Sequence, residues 1–383
     1  MRLAFVSSLV PERNPRSGFA IANRAVVDGL RALGHEIVPI GTRQSEMDEP
    51  LEGSVVLATR NLENARAGRA TKLRWAARAF AKGLPFSAAK FGTIGPGELV
   101  AALTDAKVQG LILNSYQMAA AFPALLERPF VYLSHNFEAR TAAENAAAAS
   151  GVEQAMYRRD ARILRRLEAS LANRAEHVWS LTEEDRTALE PDEQRSSVLP
   201  LLLPTASDLP EAAHKPFDAV LIGTWSWAAN ARGLEWLAAE VVPFLPRDMR
   251  IAVAGSVPAH IDLSDERIVA MGRVDSADGF LSQGHVVPLV ARGGTGVQLK
   301  SIEAFQRGLA TVATRSSVRG IENVPANCAV AEDPKAFAEA LIGAARRGRA
   351  GETLRVDPSV WTAMQREGLH AGLARGVASL ADR

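Results

Sequence analysis

The sequence predicts an α/β protein with two doubly wound domains, each built around a parallel β-sheet. Apolar segments of strand length alternate with amphipathic helical segments in both halves of the chain, and a proline-rich segment separates the two series. Strands that are apolar on both faces are typical of parallel sheets covered by helices on either side. The length of 383 residues also suits two domains of about 150–200 residues better than a single core.

The first domain is predicted to span residues 1–205. It begins with the strand "LAFVSSLV" (3–10), and the helix that follows ends before Gly34, a residue that suits the left-handed turn after a helix. Further apolar segments, separated by helical stretches, complete the predicted sheet: "HEIVPI", "SVVLAT", "VQGLILN", "PFVYLS", "HVWSL" and "SSVLPL".

The second domain is predicted to span residues 218–358, after a linker at 206–217. The linker is predicted because the stretch 200–217 carries four prolines and little periodicity. The domain then continues in the order "DAVLIG", a helix over 230–245, "RIAVAG", "HVVPLV", a helix from about Gly296, "ATVAT" and a helix over 335–347. A last helix, 359–383, is expected to pack back on the first domain.

The overall composition argues against several classes of protein. A formal net charge of +1 is too small for a general polyanion binder, so no nucleic-acid partner is expected. The single cysteine, Cys328, excludes an internal disulfide and fits a reducing cytoplasm. The apolar run at the start is too short to span a membrane, so it indicates a strand rather than a signal peptide. The spacing of cysteine, histidine and paired carboxylates indicates no metal site.

The stretch "GGTGVQLKSIEAFQRGLATVAT" (293–314) combines a glycine-rich turn, a cation and a carboxylate. Glycines let the backbone approach a ligand closely, and the N-terminus of the following helix favours phosphate. Lys300 could contact a diphosphate oxygen, and Glu303, on the same helical face, suits the two hydroxyls of a ribose. These residues predict a nucleoside diphosphate site. The alternative is an ordinary glycine-rich turn followed by a surface Lys–Glu pair.

This stretch resembles the donor-binding signature of GT-B glycosyltransferases of the group 1, or family-4-like, class. That signature has a glycine-rich turn, a helix with "EA", a small residue, "G" and an apolar strand, as do Glu303-Ala304, Gly308 and "ATVAT" here. Segments that resemble the same class extend over most of the chain: "SGFAIANRAVVDGLRALGHEIVPI", "YLSHNFEA", "LTEEDRTAL", "LIGTWSWAANARGLEWLAAEVVPFLP", "IAVAGS" and "VAMGRV".

The resemblance implies a GT-B fold, in which two Rossmann-like domains face a cleft, and it implies roles for named residues. Glu303 would hold the ribose, and Lys300 and the amides near Gly296 would meet the diphosphate. His135 would lie near the transferred sugar. Ser17 and Gly18 would approach the donor from across the cleft, and Arg273 and Val274 would lie near the base. The other implied donor-binding residues are Gly294, Thr295, Val297, Asn230 and Arg319.

The sequence also departs from the class in two places. Thr295 stands where the class often has the first of two glutamates, eight positions before the second. The Arg and Lys near the start of the second domain are absent, and the loop there contains Trp225 and Trp227, which we expect to pack in the core or cleft wall. A transferase needs cations on the leaving diphosphate, so Lys300 is the first candidate and Arg292 and Arg319 are reserves.

The resemblance predicts a cytoplasmic hexosyltransferase in cell-surface polysaccharide biosynthesis. It would use a UDP- or GDP-sugar donor, without cofactor or bound metal, and a saccharide or lipid-linked saccharide acceptor, with retention of configuration. An inverting reaction would need His135 or Glu138 as general base, and His135 could instead only anchor its loop. The alternatives are a nucleotide-sugar epimerase and a non-catalytic nucleotide-sugar binding protein. A nicotinamide dehydrogenase is disfavoured because no G-x-G-x-x-G follows the first strand.

The segment 66–90 is strongly basic and contains interleaved apolar residues. It has seven Lys and Arg side chains and no acidic one. Basic and aromatic residues together favour peripheral contact with the inner face of an anionic membrane. The residues proposed for this contact, or for an acidic acceptor, are Arg74, Trp75, Arg78 and Lys82. The alternative is a solvated helix face.

Overall fold

The computed structural model describes residues 1–15, 17–45, 47–59, 67–92, 94–204 and 214–381, with the backbone alone for Ala228. The chain forms two compact units. Unit 1 comprises Met1–Pro204 and Arg366–Arg383, and unit 2 comprises Thr205–Gln365. Of the predicted linker, 206–213 lies outside the described residues.

The described strands of unit 1 form a seven-stranded parallel sheet in the order β3-β2-β1-β4-β5-β6-β7. Its strands are β1 (Arg2–Leu9), β2 (Glu36–Arg43), β3 (Val55–Thr59), β4 (Gly110–Asn114), β5 (Phe130–Ser134), β6 (His177–Ser180) and β7 (Ser196–Val198). Its helices are α1 (Gly18–Ala32), α2 (Arg69–Lys82), α3 (Phe86–Ala89), α4 (Pro96–Asp105), α5 (Gln117–Ala121), α6 (Glu138–Ala148), α7 (Gly151–Arg174) and α8 (Glu183–Leu189).

The described strands of unit 2 form a six-stranded parallel sheet in the order β10-β9-β8-β11-β12-β13. Its strands are β8 (Phe217–Ile222), β9 (Ile251–Ala254), β10 (Ile268–Gly272), β11 (Gly284–Leu289), β12 (Thr311–Ala313) and β13 (Cys328–Val330). The remaining helices are α9 (Ala228–Trp236), α10 (Ala277–Leu281), α11 (Leu299–Gln306), α12 (Pro334–Arg349) and α13 (Ser359–Ala381).

Both sheets reverse their strand order once, and this reversal positions the candidate sites. The reversal lies between β1 and β4 in unit 1 and between β8 and β11 in unit 2. At such a point the loops at the carboxyl ends of neighbouring strands diverge and leave a crevice for a ligand. The predicted class of two doubly wound parallel-sheet domains is confirmed.

Helix α1 illustrates how local sequence fixes the elements of unit 1. The Ser17 hydroxyl accepts a hydrogen bond from the Ala20 amide at 3.2 Å, so Ser17 is the N-cap. At the other end Gly34 adopts a φ of 82°, and its amide donates to the Arg31 carbonyl. The sequence therefore sets both ends of this helix.

The last helix, α13, carries small residues where it meets unit 1. The Trp179 indole donates to the Gly372 carbonyl at 2.9 Å, and a Cβ added at Gly376 would lie 2.5 Å from the Trp179 ring. Larger residues at these positions would collide with the buried indole. The first residues of α13, through Gln365, belong to unit 2, where Trp361 packs on Phe305 with ring centroids 5.6 Å apart.

The structure differs from the sequence prediction at a few boundaries. Helix α11 begins at Leu299 rather than near Gly296, because left-handed glycines hold the preceding turn open. Strands β10 and β13 were not predicted: β10 is an edge strand, exposed over its last residues, and β13 is an edge strand of only three residues. No helix in the described ranges is long and apolar enough to cross a membrane.

Candidate functional site

Unit 2 contains a pocket at the point where its strand order reverses. The ends of β8 and β11 form one side, and the start of α11 forms another. The polar or aromatic side chains that line this donor pocket are Trp225, Asn230, Gln298, Lys300, Ser301, Glu303 and Ser317. The pocket therefore brings together Lys300, Glu303 and Asn230, three of the residues selected from the sequence.

The glycine turn beside the pocket adopts left-handed backbone conformations. Gly293, Gly294 and Gly296 have φ values of 72°, 82° and 74°. A Cβ at Gly294 would lie 3.3 Å from the Ala229 Cβ, so these positions are restricted by φ and by space. The Arg319 guanidinium donates to the Gly294 carbonyl. Arg319 thus holds the turn in place, and its role as a reserve cation for a diphosphate stays a prediction.

The start of α11 has a buried side-chain donor that no described protein group uses. Gln298 occupies the N-cap position, but its side chain makes no capping hydrogen bond. Its side chain is 5% exposed, and its Nε2 has no hydrogen-bond partner among the residues described. A buried amide donor without an acceptor costs free energy unless a ligand or water satisfies it. Sequence reasoning missed Gln298, since an ordinary glutamine carries no signal before its burial is known.

The Lys300 ammonium is enclosed without an acceptor. Its Nζ lies 5.1 Å from the centroid of the Trp225 ring, and it makes no hydrogen bond or ion pair within the described chain. A Cβ built at Gly223 would lie 2.7 Å from this Nζ, so the Gly223 backbone borders the ammonium. Burial lowers the pKa of Lys300 to about 8, while the charge of Glu303 acts to raise it.

Glu303 is part of a short carboxylate–guanidinium chain. Its Oε1 lies 2.8 Å from Arg307 Nη1, and Arg307 Nη2 lies 2.7 Å from Asp278 Oδ1. Arg307 is almost buried, whereas Glu303 is 38% exposed. The predicted surface Lys–Glu pair is therefore absent as a direct contact in the described structure. Arg307 thus fixes the Glu303 side chain, which lines the donor pocket.

The loop after β8 differs in detail from the prediction. The Trp225 indole is buried and donates to the Ala254 carbonyl at 2.8 Å, whereas Trp227 is 50% exposed and does not pack in a core. Asn230 lies in the first turn of α9, which begins at Ala228. Its side-chain amide donates to the Thr224 carbonyl at 3.0 Å and so fixes this loop.

The other predicted donor-binding positions of unit 2 surround the pocket less closely. Thr295 and Val297 are partly exposed, and Gly296 is buried in the turn. Arg273 is exposed and Val274 partly exposed after the edge strand β10, and neither lines the donor pocket. The Arg292 guanidinium lies 4.6 Å from the centroid of the Trp236 ring. Its Nη1 lies 3.9 Å from the Glu332 carboxylate. The role of reserve cation for Arg292 stays a prediction.

In unit 1, His135 lies in a hydrogen-bonded network where the strand order reverses. The Asn114 amide donates to Ser7 Oγ at 2.8 Å and to Asn23 Oδ1 at 2.9 Å, which fixes its orientation. Asn114 Oδ1 therefore accepts from His135 Nε2 at 2.7 Å. The neutral imidazole then carries its proton on Nε2, and Nδ1 remains an acceptor. Burial lowers the pKa of His135 to about 4.

The backbone that follows His135 is held by two buried carboxylates. Asp185 accepts from the Phe137 amide at 3.0 Å, and Glu168 accepts from the amides of Glu138 and Ala139 at 2.8 and 2.9 Å. Burial raises the pKa of Glu168 to about 8 and also raises the pKa of Glu138. Asp185, in the segment "LTEEDRTAL", therefore has a structural role in holding this loop. Sequence analysis missed Glu168, because a carboxylate within a long helix is usually exposed to solvent.

Ser17 and Gly18 begin α1, and Ser17 acts as its N-cap. The Phe19 ring centroid is 4.7 Å from that of His135, so the start of α1 and the His135 loop form one local cluster in unit 1. No group of three or more His, Cys, Asp or Glu side chains in the described ranges could hold a metal ion.

The basic segment forms helices α2 and α3 within 67–90, and Arg66 lies outside the described residues. Leu73 and Phe80 are 70% and 62% exposed on α2. Trp75 and Arg78 do not belong to this exposed face: Trp75 is buried, and Arg78 donates to the Ala89 carbonyl at 3.1 Å. The basic side chains that are exposed on α2 are Arg69, Lys72, Arg74 and Lys82.

Helix α7 adds a second group of cations beside α2. Arg159 donates to the carbonyls of Ala79 and Leu84 and lies over the Phe80 ring at 4.7 Å, so it joins the two helices. Four exposed arginines farther along α7 from Arg174 make no ion pair within the described chain: Arg158, Arg162, Arg165 and Arg166. We call these four arginines, the exposed cations of α2, Leu73 and Phe80 the basic surface.

Comparison with known proteins finds the fold in solved structures and a family model that matches part of the chain. Residues 216–346 match the family described as glycosyl transferases group 1. Over the whole chain, the structure is similar to sucrose-phosphate synthase from Thermosynechococcus elongatus, with 16% identity, a TM-score of 0.58 and coverage of 98% of this chain and 96% of that chain. No curated protein sequence matches the chain.

Two further solved structures share the fold. HepE from Anabaena, in complex with UDP, has 12% identity, a TM-score of 0.63 and coverage of 99% of this chain and 100% of that chain. WaaG, a glycosyltransferase involved in lipopolysaccharide biosynthesis, has 13% identity, a TM-score of 0.56 and coverage of 98% of both chains. The predicted GT-B fold and the predicted resemblance to group 1 glycosyltransferases are confirmed.

Proposed function

We propose, from the match of residues 216–346 to group 1 glycosyl transferases and from the GT-B fold of the chain, that this protein transfers a hexose from a nucleoside diphosphate sugar to a saccharide acceptor. The observation that carries the proposal is the donor pocket of unit 2. There the Lys300 ammonium and the Gln298 amide, both without a described protein acceptor, stand beside a left-handed glycine turn.

The ligand that these groups favour is a diphosphate attached to a ribose. Phosphate oxygens supply negative charge for Lys300 and acceptors for Gln298 and for the amides at the start of α11. Glu303, oriented by Arg307, offers an acceptor to the ribose hydroxyls. The complex of the similar protein HepE with UDP supports a nucleotide of the UDP or GDP type as the donor.

Lys300 is proposed to stabilise the leaving diphosphate, on which negative charge grows as the bond to the sugar breaks. A cation in a desolvated pocket acts more strongly on this charge than one in water. Thr295 offers a hydroxyl where the class often has a glutamate. Within unit 2, the sugar is therefore proposed to be held in part by Thr295 rather than by a second carboxylate.

Retention of the anomeric configuration is the second part of the proposal. The family-4-like class retains configuration, and His135, with its pKa lowered to about 4, is a weak general base at neutral pH. Its Nδ1 is instead suited to accept a hydrogen bond from a sugar hydroxyl. Glu138, whose pKa burial raises, is the base that an inverting reaction would use. The anomeric configuration of the product decides between them.

We further propose a lipid-linked acceptor in cell-surface polysaccharide assembly, with the protein in the cytoplasm and the basic surface on the inner leaflet. The support is charge complementarity. The basic surface carries exposed cations on two joined helices and two exposed apolar side chains, although the whole chain has a formal net charge of only +1. Anionic lipid attracts such a surface by about 1 kcal/mol for each basic residue close to it.

A thermal-shift screen of nucleoside diphosphates and nucleotide sugars tests the donor assignment. Selective stabilisation by one nucleotide and its sugars is expected, and a ligand at about 100 times its Kd stabilises by about 2.7 kcal/mol. The corresponding nucleoside, which lacks phosphate, is the control. Stabilisation by no nucleotide would contradict the proposal.

Product analysis with the selected donor separates the three candidate activities. A transferase releases nucleoside diphosphate in proportion to added acceptor. An epimerase converts the donor without acceptor, and a non-catalytic protein binds the donor and leaves it unchanged.

A further inference from the structure

The Trp225 ring and the Gly223 backbone form a rigid enclosure for the Lys300 ammonium. Trp225 is 2% exposed, and its indole donates to the Ala254 carbonyl at 2.8 Å. Gly255 has a φ of 109°, and a Cβ there would lie 2.1 Å from the Gly223 carbonyl oxygen and 3.0 Å from Trp225 Nε1. Neither the ring nor the backbone can move away without breaking this packing.

This enclosure replaces part of the water around the ammonium with a π-face, and Lys300 has no hydrogen-bond acceptor within the described chain. A cation over an aromatic face is stabilised far less than full hydration would stabilise it. The charged form of Lys300 is therefore disfavoured while the donor pocket holds no anion, which agrees with its pKa of about 8.

The charged groups that surround Lys300 are engaged elsewhere. On its own helix, Glu303 contacts Arg307 at 2.8 Å and acts on Lys300 only through its field. Asp278 of α10 contacts the same arginine at 2.7 Å. The remaining groups lie on loops or on α9: Arg292 stacks on Trp236, Arg319 binds the Gly294 carbonyl, and Arg232 binds the Arg292 carbonyl. A ligand anion is thus the partner that Lys300 lacks.

We propose that Trp225 is a positioning residue that keeps the Lys300 ammonium poor in hydration, so that binding of a nucleoside diphosphate is coupled to uptake of a proton from the buffer by Lys300 Nζ. The inference rests on the proposed donor site. The diphosphate oxygens supply the acceptors and the negative charge, and both favour the protonated amine. Affinity should then fall as the pH rises through about 8.

Isothermal titration calorimetry with UDP, or with GDP if the screen selects it, measures this coupling. Titrations at pH 8 in two buffers of different ionisation enthalpy give the number of protons taken up. The wild-type protein is expected to take up roughly half a proton per nucleotide at pH 8, where the terminal phosphate of the free nucleotide is already ionised and only Lys300 still gains a proton.

Four variants separate positioning from a purely structural role. Trp225→Leu admits water and should lose most of the uptake at pH 8, whereas Trp225→Phe keeps an aromatic face and should retain it. Lys300→Arg remains charged and should bind without proton uptake, at an affinity that does not change between pH 7 and 9. Trp227→Leu, which removes the exposed neighbouring indole, is the matched control and should behave as the wild type.

Binding by the wild type at pH 8 without proton uptake would overturn the inference, and so would equal uptake in the wild type and the Lys300→Arg variant. If Trp225→Leu does not fold, the Trp225→Phe and Lys300→Arg variants still decide the question. Failure of every nucleoside diphosphate to bind at pH 6.5 would instead contradict the donor site itself, and this inference with it.

Discussion

At the scale of single residues, the function of Glu303 depends on a partner that sequence spacing does not show. Its spacing to Lys300 suggested a pair, but Arg307 holds one of its oxygens at 2.8 Å. Glu303→Ala should weaken UDP or GDP binding by roughly 10- to 100-fold, because a hydrogen bond to a charged group contributes about 1.5–3 kcal/mol. Calorimetry measures the loss, with Glu339→Ala on the exposed face of α12 as control. Unchanged affinity would remove Glu303 from the site.

The contact between Asn114 and His135 gives a second prediction at the residue scale. Asn114→Asp would place a carboxylate beside His135 Nε2, now 2.7 Å from a neutral amide oxygen. The pKa of His135 should then rise from about 4, since a nearby negative charge favours the imidazolium. Histidine NMR titration measures the change, with His177, whose pKa burial lowers to about 4, as internal reference. An unchanged His135 pKa would contradict the network.

At the scale of elements, glycines place the loops of unit 2 where a ligand needs them. Gly223→Ala should abolish tight nucleotide binding, because its Cβ would lie 2.7 Å from Lys300 Nζ and 2.9 Å from the Trp225 ring. Gly343→Ala is the matched control, since a Cβ there meets nothing within 4 Å. Nucleotide titration of both folded variants is the measurement. Normal binding by Gly223→Ala would show that the enclosure is dispensable.

Most elements could be predicted from the sequence because their signals are local. Apolar strands between capped helices give the parallel sheets, and Gly34 and Ser17 mark the ends of α1. The residues that could not be predicted are those whose role depends on burial. Gln298 and Glu168 look like ordinary polar residues in the sequence, and only the fold shows that they are buried. The burial of Trp75 could not be predicted for the same reason, because its neighbours in the sequence are basic and indicated an exposed segment.

At the scale of the whole molecule, positive charge is concentrated on the basic surface of unit 1. Liposome sedimentation should show binding that requires anionic lipid and weakens at high salt, since the Debye length is about 10 Å at 0.1 M. Replacing Arg162, Arg165 and Arg166 with Gln, or Lys72, Arg74 and Lys82 with Gln, should each reduce binding. Arg247, Arg346 and Arg366, exposed elsewhere on the chain, supply a matched triple Gln control. Equal binding to neutral vesicles would exclude this role.

The central claim is that the donor pocket drives sugar transfer through Lys300. The most direct measurement is acceptor-dependent release of nucleoside diphosphate by the wild type, by Lys300→Ala and by Lys335→Ala, which removes an exposed lysine of α12. Lys300→Ala should lower the transfer rate by roughly 10²–10³-fold, and lower donor affinity much less, because diphosphate charge grows in the transition state. Lys335→Ala should match the wild type. Equal transfer rates in the wild type and Lys300→Ala would contradict the claim.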